Sequence, residues 1–392
     1  MAKEGLSRIG AALGGTLAAV LFACLGFWLG RRTLLAKFEE RIEEFERTET
    51  LGQIAGDERA GMARAFDDPA RAAAEMDQYS WAVPNIPSPF VGVAPEPGRH
   101  GNVTIDEHQF RHAAPIAEPK PPGTFRIFFT GGSTAYGTGA PSDEATIEAF
   151  FRDRLARELA PRTGLVYEVV NAANGAWAST HERIWIENRL SEMEPDVVIS
   201  FSGNNELHWG YIGMNVLWFR NYAESHFGFL VRGVYEATGR TISLPKSPNV
   251  GEPVALDDVV YRLEKNLRLA VAALEPTGAT YVFALQPTLA ASRKPLTERE
   301  KKHSEAEILQ HQVERANPIK SSEYFAQGYA RFRAELPGLE LPRFRFVDLA
   351  GAFDDMQPGI DVFIDSYHFG DRGNRILADR LYEELRPLLE RP

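Results

Sequence analysis

A serine that follows two glycines at the end of an apolar run, and a histidine three residues after an aspartate near the C-terminus, are the residues of this 392-residue chain best suited to chemistry. The serine is Ser133, in Gly131-Gly132-Ser133-Thr134, directly after the run at 125–129 (FRIFF) and Thr130. The other two are Asp365 and His368, in Asp365-Ser366-Tyr367-His368-Phe369-Gly370. A serine hydroxyl is a poor nucleophile until a neighbouring base takes its proton. Imidazole titrates near neutrality and suits that task. A carboxylate a short turn away can hold the other ring nitrogen, fix the tautomer and stabilise the imidazolium. Two more polar clusters stand in similar surroundings, residues 171–175 (NAANG) and Gly203-Asn204-Asn205-Glu206. Taken singly, each has a plainer reading. Ser133 would cap a helix, Gly175 would serve a turn, Asn205 would bond its own loop, and Asp365 and His368 would be surface turn residues. The argument lies in their joint occurrence.

The elements that must position them begin near residue 123, where strand and helix patterns start to alternate. Residues 125–129, 167–170, 196–201 (DVVISF), 280–285 (TYVFAL) and 344–349 (FRFVDL) read as buried strands. Residues 143–159 read as a helix with Ile147, Phe150, Phe151 and Leu155 on one face, and further helices are expected at 179–193 and 373–389. Five apolar strands separated by helical stretches predict an α/β chain with a parallel sheet covered on both faces. Ligands bind at the carboxyl ends of the strands in such sheets, and the first three polar clusters directly follow apolar runs.

In order and in context, the four clusters resemble the four sequence blocks of the SGNH/GDSL hydrolases: a GDS-like serine block, a glycine block, a GxND-like block and a DxxH block. The likeness covers residues 123–390. It implies a flavodoxin-like three-layer α/β/α sandwich with a five-stranded parallel sheet. It also implies a Ser133–His368–Asp365 triad and an oxyanion hole made by the backbone N–H groups of Ser133 and Gly175 with the side-chain amide of Asn205. The activity implied is cleavage of a carboxylic ester through an acyl-enzyme, on an O-acyl carbohydrate or a lipid-like ester, with no cofactor and no metal. Acyl transfer to a sugar hydroxyl uses the same triad, and a catalytically silent envelope scaffold is the reading from another class. Two departures stand out: Gly132 replaces the aspartate of the name motif, and Glu206 the aspartate usual in the third block. Neither removes a group expected to react, and Glu206 is expected to buttress its loop. His181, His208 and Gln286 are candidates for the cleft wall.

Other motifs fail on their residues. Two positions after Ser133 stands Ala135 where G-x-S-x-G needs glycine. The run GGSTAYGTG lacks the lysine of a phosphate-binding loop, and its glycines do not fit G-x-G-x-x-G. No histidine–carboxylate group has zinc-ligand spacing. The single cysteine, Cys24, supports neither a disulfide framework nor a thiolate metal site. With 43 basic and 54 acidic residues, a formal charge of -11 and no dense basic run, nucleic acid is not an expected partner.

Residues 9–30 contain no charge, with Arg8 before and Arg31-Arg32 after. At about 1.5 Å per residue such a stretch crosses a hydrocarbon core of about 30 Å. A single-pass N-terminal anchor is therefore expected, over residues 1–32. Phe27, Trp28 and Leu29 continue the apolar run where a cleaved leader needs small residues, and Leu21-Phe22-Ala23-Cys24 is a poor lipoprotein box. The flanking cations favour a cytoplasmic bulk, whereas an anchored esterase suits the periplasmic or outer face, which is the placement adopted. Residues 33–122 read as a juxtamembrane helix, with Leu34, Leu35, Phe38, Ile42 and Phe45 in one stripe, leading into a proline-containing linker region. Residues 123–392 read as the hydrolase domain, with a helical insert at about 207–275. Trp209, Tyr211, Trp218, Phe219, Tyr222, Phe227 and Phe229 crowd that insert, which is either a small subdomain or a wall over the cleft. A charged helix is expected at 297–316. The sequence names no protein partner.

Overall fold

The computed structural model describes residues 2–49, 56–81, 83–213, 232–241, 253–305 and 319–390. The chain divides into two compact units: Met1–Thr50 with Phe227–Pro245, and Leu51–His226 with Lys246–Pro392. In the first unit, helix α1 runs unbroken over Ala2–Glu49, so the expected anchor and juxtamembrane helix form one element. Its stretch Thr16–Lys37 is, among the described residues, the one segment long and apolar enough to cross a membrane, and none of it is buried.

The second unit is built on a parallel sheet. Four short strands come first, in two antiparallel pairs: β1 (Asn85–Ser88) with β2 (Gly92–Pro95), and β3 (Gly98–His100) with β4 (Val103–Ile105). The sheet follows with β5 (Thr124–Gly131), β6 (Val166–Asn171), β7 (Val197–Ser202), β8 (Thr280–Leu285) and β9 (Phe344–Asp348). Their spatial order is β6-β5-β7-β8-β9, all parallel. That order is 2-1-3-4-5, the flavodoxin-like arrangement, and its topological switch point lies between β5 and β7. The expected three-layer α/β/α sandwich is therefore what the chain forms.

Alternation along each strand sorts side chains to two faces. Phe128, Val170, Val198, Tyr281 and Phe283 enter one core with the helices Ser179–Asn188, Leu256–Leu274 and Ser321–Glu335. Ile127, Phe129, Val169, Ile199, Phe201, Val282 and Val347 enter the other with Ile147–Arg154 and Asp371–Leu389. Each fully buried large apolar side chain contributes roughly 1.5–3 kcal/mol, so both faces anchor the carboxyl edge firmly. The last helix shows the pattern best: Leu377, Leu381, Leu385 and Leu389 repeat every fourth residue, and all are buried.

Within the expected insert, Leu256–Leu274 is the crossover from β7 to β8, with Leu263, Leu267 and Val271 in the sheet core. Trp218, Phe219, Tyr222, Phe227 and Phe229 lie outside the described residues, as does most of the expected charged helix at 297–316, of which Glu298–Glu305 is described. The proline-rich region upstream of 123 also packs inward. Val91, Ala94, Phe110 and Ile116 join the first core.

Candidate active site

Ser133 sits where β5 turns into a four-residue helix, Ser133–Tyr136. Two glycines make that turn possible. Gly131 has φ +146°, and a Cβ there would lie 2.3 Å from the carbonyl oxygen of Phe201 in β7. A Cβ on Gly132 would lie 2.3 Å from Asn205 Nδ2 and 2.9 Å from the Trp177 carbonyl. Glycine at 132 thus leaves room for the Asn205 amide against the serine turn. Between residues 131 and 140, Ser133 alone is not buried.

Several groups hold this turn. Asn171 Nδ2 donates to the Ala135 carbonyl at 3.0 Å. Gln286 Nε2, directly after β8, donates to Thr134 Oγ1 at 3.0 Å, so Gln286 braces the Ser133 turn from a buried position. Arg111, also buried, donates from Nη1 to the carbonyls of Tyr136 (2.9 Å) and Gly137 (3.1 Å) and from Nε to Asp143 (2.9 Å). The Ser80 hydroxyl donates to the Gly137 carbonyl at 2.8 Å. Sequence reasoning missed Arg111 and Ser80. Their only sequence signal is a lone arginine after Phe110, inside a region whose prolines point to a linker.

The acid–histidine loop meets the serine from the other side. His368 Nε2 lies 2.7 Å from Ser133 Oγ, and His368 Nδ1 lies 2.6 Å from Asp365 Oδ2. The other Asp365 oxygen accepts the backbone N–H groups of Tyr367 (2.9 Å) and His368 (2.8 Å). Burial pushes the Asp365 carboxyl up, but the charge of His368, its hydrogen bond and those two N–H donors outweigh burial and bring it down to about 2. The carboxylate therefore stays ionised, and the N–H of Nδ1 is best placed to donate to it. Nε2 is then left to accept the serine proton.

A charged clamp lies beneath this loop. Glu300 accepts the backbone N–H groups of Val362 and Phe363 and pairs with Lys294 at 2.5 Å, both side chains fully enclosed. Arg299 donates to the carbonyls of Phe363 and Ile364. A buried pair with its remaining lone pairs satisfied costs several kcal/mol to break from one side, which fixes residues 361–364 just ahead of Asp365.

The other expected residues collect at the same edge. Asn205, in the helix Asn204–Tyr211 after β7, donates from Nδ2 to the Trp177 carbonyl at 2.7 Å. That bond fixes the amide and leaves its second N–H free. Gly175 lies in the turn after β6; a Cβ there would meet nothing within 4 Å. Among the described residues, the N–H groups of Ser133 and Gly175 donate to no protein acceptor. Glu206 is buried and accepts the Ser179 N–H at 2.5 Å, tying its loop to the start of the next helix. His181 is 2% exposed and stacks flat on Trp177, so it belongs to the packed interior and not to a cleft wall. A cleft opens beside the acid–histidine loop, lined in part by Thr288, Leu289, Ser321, Phe325, Ser366 and Tyr367.

No protein-family model matches the chain, and no curated protein matches it. Solved structures do. The crystal structure of TesA is 16% identical, covering 67% of this chain and 99% of its own, with a TM-score of 0.36. That of the acetyl xylan esterase AlAXEase is 13% identical, covering 67% and 100%, with a TM-score of 0.36. A mutant of Axe2, an acetylxylan esterase from Geobacillus stearothermophilus, is 14% identical, covering 67% and 94%, with a TM-score of 0.37. The fold rests on the chain's own strand order and register, which make it a flavodoxin-like α/β/α sandwich with a serine, a histidine and an aspartate joined at the carboxyl edge of the sheet.

Proposed function

We propose that the chain is a serine hydrolase of the SGNH/GDSL type that cleaves carboxylic esters, held at a membrane by its N-terminal helix. The observation that carries this reading is the unbroken hydrogen-bonded line from Asp365 through His368 to Ser133. His368 Nε2 removes the hydroxyl proton as Ser133 Oγ attacks the ester carbonyl. The N–H groups of Ser133 and Gly175 and the free N–H of Asn205 stabilise the oxyanion, each donor contributing about 3 kcal/mol. His368 then protonates the departing alcohol, and water attacks the acyl-enzyme by the same route in reverse. Asp365 stays ionised throughout and stabilises the imidazolium.

The substrate class we favour is an O-acyl carbohydrate or a lipid-like ester close to the membrane. Thr16–Lys37 supplies the anchor, and the catalytic unit lies on the periplasmic or outer face. Residues 1–32 form the anchor in this reading and 123–392 the hydrolase domain, with 56–122 wrapped around its catalytic loops; Arg111 and Ser80 support that last assignment.

The test uses the detergent-solubilised full chain with p-nitrophenyl esters of increasing acyl length. Hydrolysis by the native chain, and its loss in a folded Ser133→Ala variant, is the expected result. Equal rates in the two would overturn the reading.

A further inference from the structure

His208 lies three residues after Asn205 in the same helix, on the face that Asn205 turns to the serine. The edge of its ring meets Tyr367 at 6.3 Å between centroids, and Tyr367 in turn packs against His368 at 4.8 Å. On its other side, Trp209 Nε1 donates to the Ala176 carbonyl at 2.9 Å, tying this helix to the Gly175 turn. His208 thus stands between the oxyanion-side turn and the acid–histidine loop. Among the described residues, neither of its ring nitrogens has a hydrogen-bond partner, although the ring is half-buried. A half-buried polar ring without a protein partner can exchange solvent for a ligand group.

We propose that His208 contacts the substrate, binding a hydroxyl of a carbohydrate alcohol portion and so setting preference for acylated sugars. This rests on the hydrolase reading above. Burial, then the nearby His368, lowers the His208 imidazole to about 4, so at neutral pH it is uncharged and presents one donor and one acceptor. A hydroxyl can meet either role, whereas an anionic group would call for an imidazolium. Tyr367, which His208 meets, also lines the cleft beside the acid–histidine loop, and that cleft is mixed in character. Its lining sets His303 and Ser304 against the rings of Phe325 and Tyr367, while the Thr288 and Ser366 hydroxyls already donate to the carbonyls of Ser366 and His303. That mixture suits a polyhydroxylated ring.

Two measurements test this on the solubilised full chain. The first is the ratio of kcat/KM for an acetylated methyl glycoside to that for p-nitrophenyl acetate. His208→Ala is expected to lower that ratio about ten-fold, chiefly through KM of the glycoside, and His208→Gln, which keeps a donor and an acceptor, is expected to restore part of it. A ratio that does not move, whether both rates fall together or neither falls, overturns the proposal. The second is binding of the unacylated methyl glycoside to the Ser133→Ala chain by saturation-transfer NMR, which needs no turnover. Adding His208→Ala should weaken it, and unchanged binding overturns the proposal. Absence of Ser133-dependent turnover would count instead against the hydrolase reading, leaving the binding result to decide His208.

Discussion

Two carboxyl groups within the α/β unit behave in opposite ways. Asp365 accepts two backbone N–H groups and the imidazole of His368, and is lowered to about 2. Glu182, in the helix Ser179–Asn188, is 1% exposed, and among the described residues only the hydroxyls of Ser200 and Ser202 favour its charge. Burial, with the like charge of Glu206 added, raises it to about 8. Burial penalises both, so burial does not decide the outcome. What decides it is the charge nearby, His368 beside Asp365 and Glu206 beside Glu182, and after that the donors aimed at each carboxylate. One carboxyl is held ionised against the His368 ring, as the proposed mechanism requires. The other is built to stay neutral inside the wall that backs the Asn205 loop.

The sharpest way to break this contrast is at the charged end. His368→Ala and Asp365→Asn should each lower kcat by about a thousandfold or more, with the fold intact by circular dichroism. The next effect is at the oxyanion. Asn205→Ala removes one donor and should cost about a hundredfold in kcat, with KM moving far less.

Arg111→Met is expected to act through the fold. It leaves the carbonyls of Tyr136 and Gly137 and the Asp143 carboxylate without their buried partner. A stability loss of about 3 kcal/mol by denaturant titration is expected.

The smallest effect comes from the neutral end. Glu182 is raised above the ordinary value of about 4.3. As pH climbs from there to about 8, the unfolded chain gives up this proton while the folded chain keeps it. The contribution is therefore fully present below about 4 and is lost as pH rises through about 8. Calorimetry between pH 5 and 8 should show the melting temperature of Glu182→Gln falling less steeply than that of the native chain. The buried Glu148, raised to about 7, leaves some slope in both. Equal slopes would mean that Glu182 is not the neutral carboxyl described.

The strands were legible because apolar runs such as 280–285 coincide with an element buried on both faces. The meeting of Ser133, Asp365 and His368 at one edge was legible through block order. The pairs β1–β2 and β3–β4 were not, because strands of three or four residues among prolines leave no period to read. Arg111, Glu300 and Gln286 act through contacts far away in sequence. Arg111 reaches 25 residues ahead to Tyr136, and Glu300 reaches 62 ahead to Val362. Such partners show in no local pattern. Gly132 is instructive for the same reason: in sequence it is a departure from a motif, and in space it is the opening through which Asn205 reaches the serine.

The most direct test is covalent capture. The solubilised full chain would be treated with a fluorophosphonate, which reacts with an activated serine, and the adduct located by peptide mass spectrometry. The account predicts one adduct, on Ser133, absent from Ser133→Ala and greatly slowed in His368→Ala. A native, folded chain that stays unlabelled, or one labelled on another serine while Ser133 remains free, would contradict it.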